Sequence, residues 1–183
     1  MKRVAALFAC LAPLSCALPW PADAQRHPDL SRVEAIVLEG TNEFRRTEHL
    51  DSVQPNSRLD EAAREFAAFM ARTGKFDHDA DGRQPHERAL AHGYRYCFIA
   101  ENLSYQYNTA DFRTDVLAQR LVDGWKNSPS HRRNMLRDGV TETAVAVARV
   151  EGKGMTRYYA VQLFARPRPA TGCGTPRASA PVR

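Results

Sequence analysis

The chain of 183 residues is 43% hydrophobic and 26% charged. These values are ordinary for a folded globular protein, and they exclude a collagen-like, coiled-coil or largely disordered chain. The length predicts one domain, and the formal charge of +5 raises the question of a nucleic-acid or membrane-surface partner.

The first 24 residues have the three parts of a secretory signal peptide. Basic residues lie in segment 1–3, an apolar run covers residues 4–18, and a small-x-small cleavage site follows at residues 22–24. The sequence therefore predicts cleavage after Ala24 and export of the mature protein to the periplasm or the cell exterior.

Two alternatives to a cleaved signal arise from the same segment. Pro13 and Pro19 interrupt the apolar run well below the ~20 residues that a transmembrane helix needs, so the chain is not expected to span a membrane. A lipoprotein anchor at Cys16 is the other alternative, but Leu14 at the second position of that motif fits it poorly. We therefore favour the cleaved signal peptide.

The net charge is concentrated at the C-terminus. Removal of the signal peptide leaves 24 basic and 20 acidic residues, and residues 166–183 hold four arginines and no acid. The globular part is therefore neutral, which argues against a nucleic-acid partner. Residues 167–183 are predicted to form a flexible basic tail that contacts acidic envelope polymers or lipid headgroups.

Two of the four cysteines belong to the signal peptide, and Cys97 and Cys173 remain. An even pair in an oxidising compartment predicts a disulfide, although two unpaired thiols are the alternative. The bond would close a loop of ~77 residues, which is worth about 4.5 kcal/mol in the chain-entropy model.

Apolar spacing predicts two long helices in the first half of the chain. The first covers residues 31–46 and begins at a capping box in residues 31–34. The second is capped by Asn56 and ends at Gly74. Its buried stripe is predicted to consist of Leu59, Ala63, Phe66 and Met70.

Two further helices are predicted. A short one covers residues 84–92 and stops at Gly93. Another runs from Asp111 to about Trp125, and Pro129 breaks the helical pattern soon afterwards. Its predicted buried side chains are Val116, Leu117, Leu121 and Trp125.

Three segments are predicted strands, namely residues 98–105, 143–150 and 158–164, with a hairpin loop at 151–156. The last two strands are apolar on both faces, whereas a sheet exposed on one side would alternate with polar residues. Helices should therefore cover both faces. The predicted fold is an α/β, three-layer α-β-α sandwich around a small central antiparallel sheet.

Six segments in a fixed order resemble the CAP superfamily, the SCP-domain proteins that include cysteine-rich secretory, antigen 5 and pathogenesis-related 1 proteins. The resemblance covers about residues 36–165 and is strongest to the bacterial secreted branch. It implies the same α-β-α fold that the strand pattern predicts. The segments are 41–45, 76–83, 100–103, Trp125, 128–136 and 159–164.

The resemblance also implies a cavity lined by two histidines and two glutamates. His78, Glu101 and His131 match three of these positions, but Ser128 stands where the second glutamate is expected. Two imidazoles and a carboxylate are still ligands that suit zinc or another divalent ion. The expected metal ligands are thus His78 and His131.

The resemblance leaves three functions open. The favoured one is an extracellular or periplasmic binding module for a lipid, sterol or peptide. The second is a metal-dependent, peptidase-like hydrolase with His78 and His131 as ligands and Glu101 as catalytic base. In the third, these side chains form a structural polar cluster.

Overall fold

The computed structural model of the chain describes residues 27–173. The predicted signal peptide and residues 174–183 of the predicted tail lie outside this range. Among the described residues, no helix is long and apolar enough to cross a membrane.

Five helices and four strands form within residues 27–173. The helices are α1 (Leu30–Thr47), α2 (Ser57–Thr73), α3 (Pro85–Ala91), α4 (Thr114–Asn127) and α5 (Pro129–Met135). The strands are β1 (Gln54–Pro55), β2 (Tyr96–Asn108), β3 (Glu142–Gly152) and β4 (Met155–Pro167).

The strands form one sheet in the order β1-β3-β4-β2. The three long strands are antiparallel, as predicted, and β2 lies at one edge. Strand β1 was not predicted; it pairs in parallel with β3 over Gln54 and Pro55 and makes the sheet mixed. Two residues are too few for a recognisable alternation.

Each face of the sheet has its own apolar core, which confirms the predicted α-β-α arrangement. Along β3, Ala144 and Ala146 pack on the side of α2, whereas Val145 and Val147 pack on the side of α1 and α4. Successive strand residues point to opposite faces. The two-sided apolar pattern in the sequence therefore corresponds to two buried faces.

The start of α1 differs from the prediction. Its N-cap is Asp29, whose carboxylate accepts the Arg32 backbone N–H at 3.1 Å, so the capping box at residues 31–34 does not form. Glu34 is instead buried between elements, where it pairs with Arg64 and accepts the Val147 backbone N–H at 2.9 Å. Glu34 therefore forms an ion pair with another helix and not the predicted cap within α1.

The second helix agrees with its prediction. Asn56 caps α2, Gly74 ends it in the left-handed conformation, and the predicted stripe is buried. In contrast, α4 begins at Thr114 and not at Asp111, because Asp111 has a φ of +67° and its carboxylate binds the Tyr158 hydroxyl.

The fourth helix also presents one side chain differently from the prediction. Val116 is 38% exposed, whereas Leu117, Leu121 and Trp125 are buried as predicted. Pro129 does interrupt the helix, but the chain then forms α5, a helix that the sequence analysis missed. Its seven residues are too short to show a helical period.

The predicted disulfide between Cys97 and Cys173 is present. It joins the beginning of β2 to the segment that follows β4. Residues 168–173, part of the predicted tail, are thereby attached to the sheet.

Candidate functional site

The three predicted site residues come from three different elements. His78 lies in the loop between α2 and α3, Glu101 lies on β2, and His131 lies on α5. The Nδ1 atom of His78 is 2.8 Å from Oε1 of Glu101. Asn102, next to Glu101 on β2, donates to the His131 carbonyl at 3.2 Å, so the fold brings the three residues into one region.

The carboxylate of Glu101 is buried, with a side chain that is 1% exposed. Its second oxygen, Oε2, accepts a hydrogen bond from the Arg88 guanidinium at 2.8 Å. Arg88 is itself 2% exposed. Because a buried ion pair is retained only when its partners are well placed, Glu101 is held on both oxygens in a fixed orientation.

Arg88 also organises the loop that carries His78. Its guanidinium donates to the Asp81 carboxylate at 2.9 Å and to the carbonyls of Arg83 and His78 at 2.6 and 3.0 Å. It stacks 3.5 Å above the Phe66 ring. Arg88 therefore connects the loop, α2 and β2 through one side chain.

Arg88 was not among the predicted site residues. The available signal was weak, since an arginine on a short helix is usually exposed to solvent. Only the packing of α3 against β2 turns this side chain inward, toward a carboxylate that lies 13 residues further along the chain.

The contact with Glu101 determines the tautomer of His78. A carboxylate only accepts hydrogen bonds, so Nδ1 of His78 carries the donated proton and Nε2 is left for another partner. The hydrogen bond to Glu101 raises the pKa of His78 despite partial burial. The side chain is 49% exposed, and an external ligand can therefore reach it.

His131 has the opposite electrostatic character. Burial lowers its pKa, and the nearby charge of His78 lowers it further. Its backbone carbonyl accepts a hydrogen bond from Asn102 at 3.2 Å, which attaches α5 to β2. The site therefore combines one imidazole that favours the charged form and one that favours the neutral form.

The edge of β2 is covered next to the site. The Asn134 amide donates to the Glu101 carbonyl at 3.2 Å, and the Trp125 indole donates to the Leu103 carbonyl at 3.0 Å. Both carbonyls point away from β4, so side chains of α4 and α5 provide the hydrogen bonds that a further strand would otherwise make.

Further along β2, at Tyr105 and Tyr107, no side chain among residues 27–173 donates a hydrogen bond to the strand edge, and the exposed side chains are aromatic. Phe76, Tyr105, Tyr107 and Tyr159 form a continuous group, here called the aromatic shelf, with neighbouring ring centroids 5.1–6.3 Å apart. Tyr107 is 60% exposed. A cavity of about 290 Å³ lies beside the shelf. Since strand residues two apart share a face, Glu101, Tyr105 and Tyr107 lie in one row.

The donors at this site do not match a catalytic zinc site. Such sites have three protein ligands, but no group of three metal-binding side chains occurs within the part of the chain that is described. His78 and His131 supply two imidazoles, whereas both oxygens of Glu101 are already bound. Ser128, at the start of α5, adds no carboxylate.

Comparison with known proteins defines the family. Residues 38–164 match the model of CAP, the cysteine-rich secretory protein family. The chain therefore belongs to the CAP family. No curated protein matches it.

Solved structures support the same fold. An outer surface protein of Borrelia burgdorferi is 19% identical with a TM-score of 0.59, covering 73% of this chain and 92% of that protein. An extracellular SCP-domain protein of Bacillus anthracis is 22% identical with a TM-score of 0.60, covering 74% of this chain and 41% of that one.

A cysteine-rich secretory protein of Staphylococcus aureus is also similar. It is 21% identical with a TM-score of 0.54, and the match covers 80% of this chain. The chain spans only 41% of both the Bacillus and the Staphylococcus proteins. At these identities the likeness concerns the fold alone.

Proposed function

We propose that this chain is an exported CAP-domain module that binds an extended peptide along β2. One end of the peptide contacts His78, and its apolar side chains lie on the aromatic shelf. The observation that carries this proposal is the contrast on β2 between a fixed polar site at Glu101 and exposed rings at Tyr105 and Tyr107.

The backbone of β2 supports a peptide over a lipid or a sterol. In an antiparallel pair, alternate residues direct both backbone groups away from the partner strand. The carbonyls of Glu101 and Leu103 do so, and the same alternation applies to Tyr105 and Tyr107. An added strand would pair with the backbone groups of Tyr105 and Tyr107, since the carbonyls of Glu101 and Leu103 already accept from Asn134 and Trp125. A lipid or sterol would offer the groups of Tyr105 and Tyr107 no such pairing.

The state of Glu101 favours binding over hydrolysis. A general base must reach the proton that it removes, but the buried carboxylate of Glu101 is bound to Arg88 and His78. We propose that Glu101 orients His78, and that Nε2 of His78 receives the ligand. Zinc binding by His78 and His131 is a separate proposal, and no step of the binding function depends on it.

A displayed peptide library, screened on protein comprising residues 25–183, tests the proposal. Enriched peptides should carry apolar side chains at alternate positions. Tyr107→Ala should lower the affinity for these peptides about tenfold or more. It should not reduce the stability of the fold, because Tyr107 is largely exposed. Val116→Ala, which removes an exposed side chain from α4, is the matched control and should leave affinity unchanged.

Two results would contradict the proposal. One is an equal loss of peptide affinity in the Tyr107 and Val116 variants. The other is enrichment of sterols or fatty acids, but no peptide, in mass spectrometry of captured ligands. Turnover of a peptide and ester panel that is lost in His78→Ala would instead support the hydrolase, with zinc dependence testing the role of the metal.

A further inference from the structure

A second cavity lies at the opposite end of β2 from the aromatic shelf. Its volume is about 630 Å³, and it is formed where β2 begins and β4 ends. Two arginines and a tyrosine share its wall with three apolar side chains. The lining residues are Leu90, Arg95, Tyr96, Arg168, Pro169 and Ala170, and together they are called the basic pocket.

Two bonds hold the walls of this pocket together. The backbone N–H of Arg168 donates to the carbonyl of Arg95 at 2.9 Å, which places the two arginines on adjacent strand ends. The disulfide between Cys97 and Cys173 attaches the far end of the same segment. The pocket is thus a consequence of a covalent link and of strand pairing.

The two arginines of the pocket lack the carboxylate partner that several other arginines of the fold have. Arg64, Arg83 and Arg149 each contact a carboxylate. Among residues 27–173, in contrast, no carboxylate lies within 4 Å of the charged groups of Arg95 or Arg168. The sequence has no Asp or Glu from residue 88 to 100 or from residue 152 to 183. The lining residues therefore carry two positive charges and no negative charge.

We propose that the basic pocket binds phosphate groups of a soluble polyphosphate chain, and that the disulfide builds this site. A carboxylate can satisfy both of its oxygens with one guanidinium. Each phosphate of the polymer also presents two free oxygens, which match the guanidinium fork, and two neighbouring phosphates can bind Arg95 and Arg168. Leu90, Pro169 and Ala170 complete the wall of the pocket.

This site is separate from the proposed peptide site and differs from it chemically. Arg166 lies beside the pocket on β4, and residues 174–183 add two arginines without an acid. A polymer is therefore favoured over a single phosphate ion, since successive phosphates meet successive cations. The pocket would retain the protein on an anionic polymer outside the cell while β2 remains accessible.

Inorganic polyphosphate is the probe for a calorimetric titration of the exported protein. The Arg95→Ala/Arg168→Ala variant should bind at least about tenfold more weakly, and affinity should fall with added salt. Arg46→Ala is the matched control: it also removes an exposed arginine that has no carboxylate partner among the described residues. That control should change affinity by less than about twofold.

Three outcomes would overturn the proposal. An equal loss of polyphosphate affinity in the Arg46 control would show that the polymer is attracted by overall charge and not by the pocket. Equally tight binding of polyglutamate would show that phosphate is not preferred. Binding to phosphatidylglycerol vesicles but not to polyphosphate would identify a membrane surface as the partner.

The disulfide provides an independent test. The Cys97→Ser/Cys173→Ser variant, measured below its own melting temperature, should lose several-fold in polyphosphate affinity because the wall at residues 168–170 loses its attachment. Unchanged affinity in the folded variant would contradict the role assigned to the disulfide. The arginine variants keep their full disulfide, so they test the ligand even if the cysteine variant does not fold.

Discussion

The two ends of the candidate peptide site differ in how far other elements of the fold cover β2. At Glu101 and Leu103, side chains from α4 and α5 cover the strand edge, and Arg88 fixes the carboxylate from the other side. At Tyr105 and Tyr107 the rings are exposed. One strand therefore supplies both a rigid polar site and an open surface.

This difference separates the part of β2 that contributes to stability from the part where we propose that a peptide binds. Buried polar groups are costly unless they are fully bonded, so the covered part of β2 tolerates little change. The exposed part contributes less to the core and can vary in sequence at small cost. Changes of stability should therefore concentrate near Glu101, and changes of binding near Tyr107.

The largest expected effect is on Arg88. Arg88→Met removes the partner of two buried carboxylates, those of Glu101 and Asp81, and should cost about 3–5 kcal/mol of unfolding free energy. Urea denaturation measures it. Arg113→Met, at an exposed ion pair with Asp115, should cost about 1 kcal/mol or less. Similar losses in both variants would show that burial of Arg88 has little energetic consequence.

Loss of a hydrogen bond that covers the strand edge should lower the free energy of unfolding by a smaller amount. Asn134→Ala leaves the Glu101 carbonyl without its donor and should cost about 1–3 kcal/mol. Asn108→Ala, at the uncovered end of β2, should cost within about 0.5 kcal/mol. Thermal unfolding of both variants provides the comparison. A larger loss at Asn108 would reverse the proposed difference between the two ends.

A third prediction concerns zinc binding at the polar end of β2, where a carboxylate at position 128 would join the two histidines. Ser128→Glu restores the carboxylate that the family resemblance leads one to expect, three residues before His131 and thus on the same side of the helix. It should raise zinc affinity about tenfold or more over the wild type, measured by calorimetry. Ser130→Glu does not face His131 and is the control. Equal gains in the two variants would mean that added charge alone is responsible.

The smallest expected effect is a difference in titration between the two histidines. In metal-free protein the pKa of His78 should lie above its ordinary value of 6.5 and that of His131 below 6.5. The NMR signals of the two imidazoles, assigned with His78→Gln and His131→Gln, measure both. The prediction is contradicted if the order of the two pKa values is reversed.

These shifts have opposite consequences for stability. His78 stabilises the fold below pH 6.5, and this contribution is lost as the pH rises through its raised folded-state pKa. His131 contributes above pH 6.5, and its contribution is lost as the pH falls through its lowered pKa. The His78→Gln variant should therefore lose relatively more stability on the acidic side.

Local sequence patterns predicted much of the fold because each depends on neighbouring residues. The cap at Asn56, the stop at Gly74 and the buried stripe of α2 are all readable within one helix. Val116 was assigned to the wrong side of α4, since neighbouring apolar residues leave the edge of a buried stripe ambiguous. The short elements β1 and α5 have too few residues for any period.

The sequence by itself determined the long helices, the two-sided sheet and the pair of cysteines left to bond. These follow from apolar spacing and from a count of residues. The tertiary structure alone decided that Arg88 holds Glu101, that Asn134 and Trp125 cover β2, and that two arginines share one pocket. Glu101 and Asn134 are 33 residues apart, and no local period encodes a hydrogen bond over such a distance. Such contacts form only when packing removes water from both partners, which then have to bond to each other.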